Sequence, residues 1–219
     1  MHCATVFTNG DVSITWDESG SSAPDFRSWH VYYAPAASGP FTLIDSLLLY
    51  TDTTTVHLAA NAANVPAFYY VAFKSNNGTP DILSDTIRAI GLIINNPGNG
   101  YARLSWNPTH APLISTNYPF YYIYREYPAG TIVLIDSVDA RTAPIPMTFT
   151  DSLSVCDDTV GYYIEARDSL GCSSLSAEKK DRFKDLQAPD IPILDSVSVD
   201  ASGNATVSWF VRVVRLSAT

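Results

Sequence analysis

The most regular pattern in the chain is a short alternation of apolar and polar residues that follows a glycine and ends at a tryptophan. It occurs three times, at residues 10–16, 100–106 and 203–209. In each copy the apolar residues stand at every second position, which is typical of a strand with one buried face. The three tryptophans are 90 and 103 residues apart, so the pattern indicates an internal repeat of module length.

Further blocks recur in the same order with nearly constant spacing. Residues 29–33 align with 120–124, 41–46 with 132–137, and 69–73 with 162–166, at offsets of 91, 91 and 93. Clusters of Gly, Pro, Asn and Asp separate these short apolar segments, and no long segment has helical periodicity. The sequence therefore predicts an all-β fold of tandem immunoglobulin-like, antiparallel β-sandwiches.

The repeat also sets the domain boundaries. We predict a first module over residues 1–90, a second over 91–187, and the first strands of a truncated third over 188–219. With almost no linker between the first two modules, bending there should be restricted. Two strands cannot bury a core, so we expect residues 188–219 to be disordered, to pair with an exposed sheet edge, or to be an artefact of truncation or frameshift.

The repeated blocks resemble fibronectin type III modules over essentially the whole chain. The resemblance assigns a set of core positions: Trp16, Tyr33, Tyr69, Trp106, Tyr124 and Tyr162. It also implies that Tyr69 and Tyr162 form tyrosine corners, in which the hydroxyl bonds to nearby backbone. By alternation, a second set of tyrosines should then point outward: Tyr32, Tyr70, Tyr121 and Tyr163.

A narrower resemblance concerns the amino-acid sequences of segments 162–176 and 197–209. They are similar to repeats of large secreted proteins of the Bacteroidetes, many of them associated with gliding motility and type IX secretion. This likeness implies an extracellular or cell-surface location. Because the chain starts without a signal-peptide pattern, we expect any export signal to lie upstream.

Charge and hydropathy exclude two classes of partner. The net charge of −9 disfavours binding to nucleic-acid backbones and to anionic membrane surfaces. No apolar stretch reaches the ~20 residues of a membrane-spanning helix. We therefore expect neither a nucleic-acid partner nor membrane insertion.

Residues with catalytic or metal-binding chemistry are scattered. The four histidines do not stand at metal-ligand spacing from one another or from a cysteine, and His30 alternates outward. Acidic pairs such as Asp157-Asp158 consist of neighbours on the chain that point apart on a strand. Because nucleophile and phosphate-binding motifs are lacking too, we predict that the chain is not an enzyme and uses no cofactor or metal.

The three cysteines are Cys3, Cys156 and Cys172. A disulfide between Cys156 and Cys172 is disfavoured, because a strand of about eight residues at ~3.3 Å each separates them by far more than the ~7 Å that a disulfide allows. We expect Cys156 to fill the core and Cys172 to be a free or partly exposed thiol. Counting the free thiols distinguishes these alternatives.

Asp-Ser or Asp-Thr followed by an apolar residue or Thr occurs eight times, against the roughly one or two that composition predicts. In the Bacteroidetes this triplet is an O-glycosylation acceptor, so the resemblance implies a glycan-decorated stalk. The alternative is that these pairs open turns through side chain–backbone hydrogen bonds. The candidate acceptors are Ser46, Thr53, Thr86, Ser137, Ser152, Thr159, Ser169 and Ser196.

Two classes of function remain open. The first is a structural or adhesive spacer of an exported surface protein, whose partners are a protein or glycan ligand and the neighbouring domains of the same polypeptide. The second is an accessory linker or carbohydrate-binding segment of a secreted carbohydrate-active enzyme. A sugar platform needs exposed aromatic rings, whereas Trp16, Trp29, Trp106 and Trp209 all fall on the inward register, which favours the spacer.

Overall fold

A computed structural model describes residues 2–18, 23–98, 100–110, 120–167, 171–184 and 193–210. The chain divides into two compact units, Met1–Asp185 and Leu186–Thr219. The first unit contains both complete modules, and each of them has its own hydrophobic core. The described residues of the second unit form one β-hairpin.

Module 1 consists of two antiparallel sheets that pack face to face. The first has the order β1-β2-β5, and the second has the order β4-β3-β6-β7 with β8 also paired to β6. A 3₁₀ turn at Ala23–Asp25 precedes β3. The strands are β1 Cys3–Val6, β2 Val12–Thr15, β3 Phe26–Ala34, β4 Thr42–Leu47, β5 Thr54–His57, β6 Phe68–Ser75, β7 Ile82–Leu83 and β8 Ile87–Arg88.

Module 2 repeats this order, with β9-β10-β13 in one sheet and β12-β11-β14-β15 in the other, where β16 also pairs with β14. Each module thus has a three-stranded and a five-stranded antiparallel sheet, so the predicted fold class of tandem antiparallel β-sandwiches is confirmed. The strands are β9 Leu92–Gly98, β10 Tyr101–Trp106, β11 Phe120–Glu126, β12 Ile132–Asp139, β13 Met147–Ser152, β14 Asp157–Arg167, β15 Ser173–Leu175 and β16 Lys179–Lys184.

Period-two alternation accounts for the two cores. Trp16 and Trp106 keep only 3% and 1% of their surface exposed, and Tyr69 and Tyr162 are fully buried. Tyr33 is half-buried and packs against the core of module 1. Burying a large apolar side chain contributes roughly 1.5–3 kcal/mol, so each module has enough inward residues to fold around its own core.

The repeat glycines are explained by the turn before the tryptophan strand. Gly10, Gly100 and Gly203 all have positive φ, at 88°, 73° and 84°. A side chain is strained in this region, whereas glycine adopts it readily. In module 2 the turn is also crowded, because the Gly100 carbonyl accepts a hydrogen bond of 2.6 Å from the Leu153 amide.

The predicted register of β11 is wrong by one residue. Tyr121, which we expected outside, is 3% exposed and packs in the core with Ile123. Tyr124, which we expected in the core, lies on the opposite face and stacks on Tyr163. Tyr33 pairs with Tyr69 in module 1, and Arg125 pairs with the equivalent Tyr162 in module 2. Arg125 is therefore the equivalent of Tyr33, and the offset from β3 to β11 is 92. A shift by one residue exchanges the two faces of a strand.

The second unit is a two-stranded antiparallel sheet of β17 Ile193–Val199 and β18 Ala205–Phe210. Of the interval 188–219, for which we expected disorder or pairing with a sandwich edge, residues 193–210 form their own hairpin, and the others lie outside the described residues. Trp209 is 61% exposed, contrary to its inward assignment, because the described residues of this unit form no second sheet that could cover it.

Candidate functional site

The most distinctive site in the molecule is a covalent link between the two modules. Cys3 in β1 and Cys172, just before β15, form a disulfide with a Cα–Cα distance of 6.0 Å across 169 residues of sequence. The expected free thiol at Cys172 is therefore wrong, and so is the core position of Cys156, which is free and exposed. The disulfide joins different modules, because the fold brings β15 of module 2 beside β1 of module 1.

Hydrogen bonds continue the link along the two strands. The Thr5 hydroxyl donates to the Ser173 carbonyl at 2.7 Å, and the Ala4 amide donates to the Ser174 hydroxyl at 3.1 Å. The Leu175 amide donates in turn to the Thr5 hydroxyl at 3.4 Å. Thr5 therefore serves as donor and acceptor to module 2. Without β15, the outward groups of β1 would be an open sheet edge.

Module 2 also contributes to the core of module 1. Ala177, which follows β15, is 4% exposed and belongs to the hydrophobic cluster of module 1. The Lys179 ammonium then donates to the Asn64 side-chain carbonyl at 3.0 Å. Residues 172–177 thus close one side of the first sandwich. This explains why the two modules form one compact unit although they have separate cores.

A second set of contacts holds the short linker. Asn107 is buried, with 8% of its surface exposed. Its side-chain amide donates to the Ala89 carbonyl at 3.1 Å, and its side-chain carbonyl accepts from the Gly91 amide at 2.9 Å. The Arg88 amide donates to the Thr109 carbonyl at 2.7 Å. We call residues 3–5, 85–91, 107–110 and 172–179 together the junction.

An acid–base pair spans the same linker. The His110 Nε2 atom lies 3.0 Å from an Asp85 carboxylate oxygen, and the His110 side chain is 14% exposed. The hydrogen bond to His110 holds the pKa of the Asp85 carboxyl well below its usual range, against the opposing effect of burial. Module 1 therefore presents a carboxylate to the loop of module 2.

The two tyrosine corners use side chains as partners, where the resemblance implied backbone. In module 2 the Tyr162 hydroxyl donates to the Asp151 carboxylate at 2.8 Å, and Arg125 donates to the same carboxylate at 3.0 and 3.2 Å. Burial, and then the bond to Asp151, raise the pKa of Tyr162. In module 1 the Tyr69 hydroxyl lies 3.0 Å from the His57 Nδ1 atom, and burial raises the pKa of Tyr69.

Both modules carry a stacked tyrosine pair on the outer face of the larger sheet. Tyr32 stacks on Tyr70 and Tyr124 on Tyr163, in each case with ring centroids 4.7 Å apart. The Tyr124 hydroxyl also donates to Glu165 at 2.8 Å. Because each ring is covered by its partner across the strands, these pairs stabilise the sheet in the way that cross-strand aromatic pairs do.

The candidate glycan acceptors are mostly accessible. Ser46, Thr86, Ser137, Ser152, Thr159 and Ser196 are exposed, Thr53 is half-buried, and Ser169 lies outside the described residues. The apolar residue of each triplet points inward in most copies, as Leu153 and Val160 do, so the hydroxyl before it points outward. The preceding aspartate also bonds locally, since Asp45, Asp136 and Asp158 each accept a hydrogen bond from the next amide at 2.7 Å.

One pole of module 1 has a cavity of about 180 Å³ between Trp16, Trp29 and Phe73, with Asp17 and Glu18 at its rim. The Trp16 indole N–H has no hydrogen-bond partner among the described residues, and the same holds for Trp106 in module 2. Because the indole N–H lacks a partner in both modules, we attribute this lack to the sandwich fold and not to a ligand.

Among the described residues no three His, Cys, Asp or Glu side chains are grouped as metal ligands. Nor do those residues contain a helix with the length and apolar character needed to cross a bilayer.

Comparisons with known proteins give fold-level similarity alone. No protein-family model matches the sequence, and a search of curated proteins finds no match. Among solved structures, the chicken CNTN1 FN1-FN3 domains are 12% identical with a TM-score of 0.34; the match covers 84% of this chain and 65% of that one. The central fibronectin-III array of RIM-binding protein is 15% identical with a TM-score of 0.33, over 95% of this chain and 77% of that one.

Proposed function

We propose that this chain is a non-catalytic spacer segment of an exported bacterial surface protein, which holds neighbouring domains at a fixed distance. The observation that carries this proposal is the junction, where a disulfide, hydrogen bonds and a shared core residue join two sandwiches. Interfaces between domains that are this extensively bonded restrict relative motion. A spacer requires that restriction, whereas a flexible tether does not.

The disulfide supports the exported location. Disulfides persist in oxidising compartments and are rare in the cytosol, where thiols are kept reduced. The bacterial surface assignment comes from the resemblance of segments 162–176 and 197–209 to secreted repeats. Adhesion, if the parent protein has it, would use exposed loops or sheet edges of the modules.

The alternative, a carbohydrate-binding segment, has less support. Trp16, Trp29 and Trp106 are at most 3% exposed, so none of them offers a face to a sugar ring. The outer tyrosines already stack on one another. A polysaccharide pull-down should therefore retain no protein, and specific retention would favour the carbohydrate-binding alternative.

The rigidity of the spacer is tested by ¹⁵N relaxation of the full chain. We expect the amides of modules 1 and 2 to give the same rotational correlation time. A matched control carries a flexible Gly/Ser insertion after Ile90 together with Cys3→Ser and Cys172→Ser, and its modules should tumble separately. Separate correlation times in the unmodified oxidised protein would rule out a rigid spacer.

The location is tested by treating intact source cells with a protease. We expect peptides from residues 1–185 in the supernatant before lysis. Recovery of these peptides only after lysis would contradict the surface assignment.

Glycan decoration is a separate part of the proposal. Six candidate acceptors are exposed, which is what a transferase acting on a folded protein requires. The intact mass of the protein purified from its source should exceed the sequence mass, and replacing Ser46 and Ser137 by Ala should reduce that excess. An intact mass without any increment would remove the decoration and leave the spacer unaffected.

A further inference from the structure

We propose that the Cys3–Cys172 disulfide is a force bypass, which carries tension past β1 to β14 of the two sandwiches and so limits the extension of the spacer under load. This inference rests on the proposed spacer function. It goes beyond rigidity, because it concerns which covalent bonds carry tension when the chain is pulled from its ends.

The covalent connectivity determines the path of the tension. A pull on the amino terminus reaches Cys3 after two residues, crosses the disulfide, and continues from Cys172 toward the carboxyl terminus. The chain between the two cysteines, which are separated by 169 positions in the sequence, lies in parallel with one S–S bond. A parallel segment bears no tension until that bond breaks, so β1 through β14 are not drawn out.

The disulfide prevents a long segment of the chain from extending. Fully extended, 169 residues would span roughly 560–610 Å at 3.3–3.6 Å per residue, whereas the Cα atoms of the two cysteines are 6.0 Å apart. Within the first unit, tension reaches the residues after Cys172, which include β15 and β16. Extending residues 173–184 would add only about 40 Å at the same length per residue.

The neighbouring contacts protect the segment that does bear load. β16 pairs with β14 over six residues, and Ala177 is buried in the core of module 1. Thr5 holds β15 through two hydrogen bonds. The bypass therefore ends in a strand bonded to both modules.

Reduction would remove the bypass. Two successive thiolate attacks by a dithiol break the Cys3–Cys172 bond; the protein gains two electrons and two protons as thiols, and the dithiol becomes a cyclic disulfide. Cys172 is half-buried, so the bond lies near the surface. Tension would then pass through every strand of both sandwiches, and the same chain would become extensible.

The test is single-molecule force spectroscopy of the full chain with handles at both termini. The oxidised protein is compared with the protein in dithiothreitol and with the Cys3→Ser/Cys172→Ser double variant. Cys156→Ser serves as the matched control, because it removes the free thiol and leaves the disulfide intact. Free thiols are counted after denaturation without reductant, where we expect one per chain.

In the oxidised protein and in Cys156→Ser we expect only short events, of about 40 Å from residues 173–184 and about 60 Å from the hairpin. With dithiothreitol and in the double variant, two further events of roughly 250–320 Å should appear, one per sandwich. Three free thiols per chain, or long events of equal number in the oxidised and reduced proteins, would overturn the bypass. A rigid spacer as judged by relaxation would survive either of these results.

Discussion

Modules 1 and 2 have the same strand order but place different chemistry at the same three positions. Where β3, β5 and β6 of module 1 bring together Tyr33, His57 and Tyr69, the equivalent strands of module 2 bring together Arg125, Asp151 and Tyr162. The first group is aromatic, with the Tyr33 and His57 ring centroids 4.7 Å apart. The second is an ion pair with a hydroxyl donor.

The difference shows what the sandwich requires at this place. The tyrosine of the sixth strand is constant, and its buried hydroxyl needs a partner in the sheet opposite. A neutral imidazole meets that need in module 1. In module 2 a carboxylate meets it, but a buried carboxylate needs its own cation, and Arg125 occupies the position that is aromatic in module 1. The two changes are therefore coupled.

The largest effect is expected at the equivalent turns. Gly100→Ala should destabilise module 2 by about 3 kcal/mol, because the residue has positive φ and the added Cβ would lie 2.6 Å from the Leu153 carbonyl. Gly10→Ala should cost about 2 kcal/mol, since its Cβ would lie 3.0 Å from Asn61 Cα. Urea unfolding followed by hydrogen exchange of each module measures both.

Gly130→Ala is the control for backbone strain alone. Gly130 also has positive φ but faces open space, so its substitution should cost about 1 kcal/mol. Equal costs at all three glycines would show that the close approach of the backbone does not matter.

Removing the cation of module 2 should have the next largest effect. Arg125→Met leaves Asp151, which is 8% exposed, with fewer donors and no compensating charge. We expect a loss of about 2–3 kcal/mol in the free energy of unfolding of module 2. Arg103→Met, at an exposed position of β10, should change it by less than about 0.5 kcal/mol. A similar loss from both variants would argue against a specific role for the ion pair.

Deleting the two hydroxyls compares a charged partner with a neutral one. Tyr162→Phe should cost about 1.5–2 kcal/mol, because the hydroxyl donates to a carboxylate, and Tyr69→Phe about 1 kcal/mol, because its partner is an imidazole. Thermal unfolding with exchange detection of β14 and β6 gives the two values. The reverse order would mean that Asp151 is satisfied without Tyr162.

The smallest effect is a difference in pH dependence. Burial lowers the pKa of His57 from its ordinary value, so the unfolded chain binds the proton more readily. The contribution of His57 to stability is therefore present above about pH 6.5 and is lost as the pH falls below it. Module 1 should lose stability as the pH falls below about 6.5, and His57→Gln should flatten that slope.

His30 also has a lowered pKa, chiefly through burial and then the nearby Lys74, and it lies in module 1 as well. His30→Gln is therefore the control for His57→Gln, and the part of the slope that remains in His30→Gln but is lost in His57→Gln belongs to His57. An unchanged slope in His57→Gln would place the pH sensitivity elsewhere.

The all-β fold and the inward faces of the tryptophan strands follow from the sequence alone. Period-two alternation reports which side of a strand is buried, and its recurrence with a turn glycine reports a module. This is why Trp16 and Trp106 could be assigned to cores. In β11 the same rule was ambiguous, because aromatic residues occupy both faces of Phe120–Glu126 and the correct register turns Arg125 inward.

What the tertiary structure decided are the relations between distant segments. Arg125 can lie inward only because Asp151 approaches from the other sheet, and no local sequence pattern around Arg125 indicates that partner. Cys3 and Cys172 meet only because β15 of one module docks on β1 of the other. Local alternation determines the face of a strand, since it depends on neighbouring residues; the docking of whole modules depends on surfaces that exist only after each module has folded.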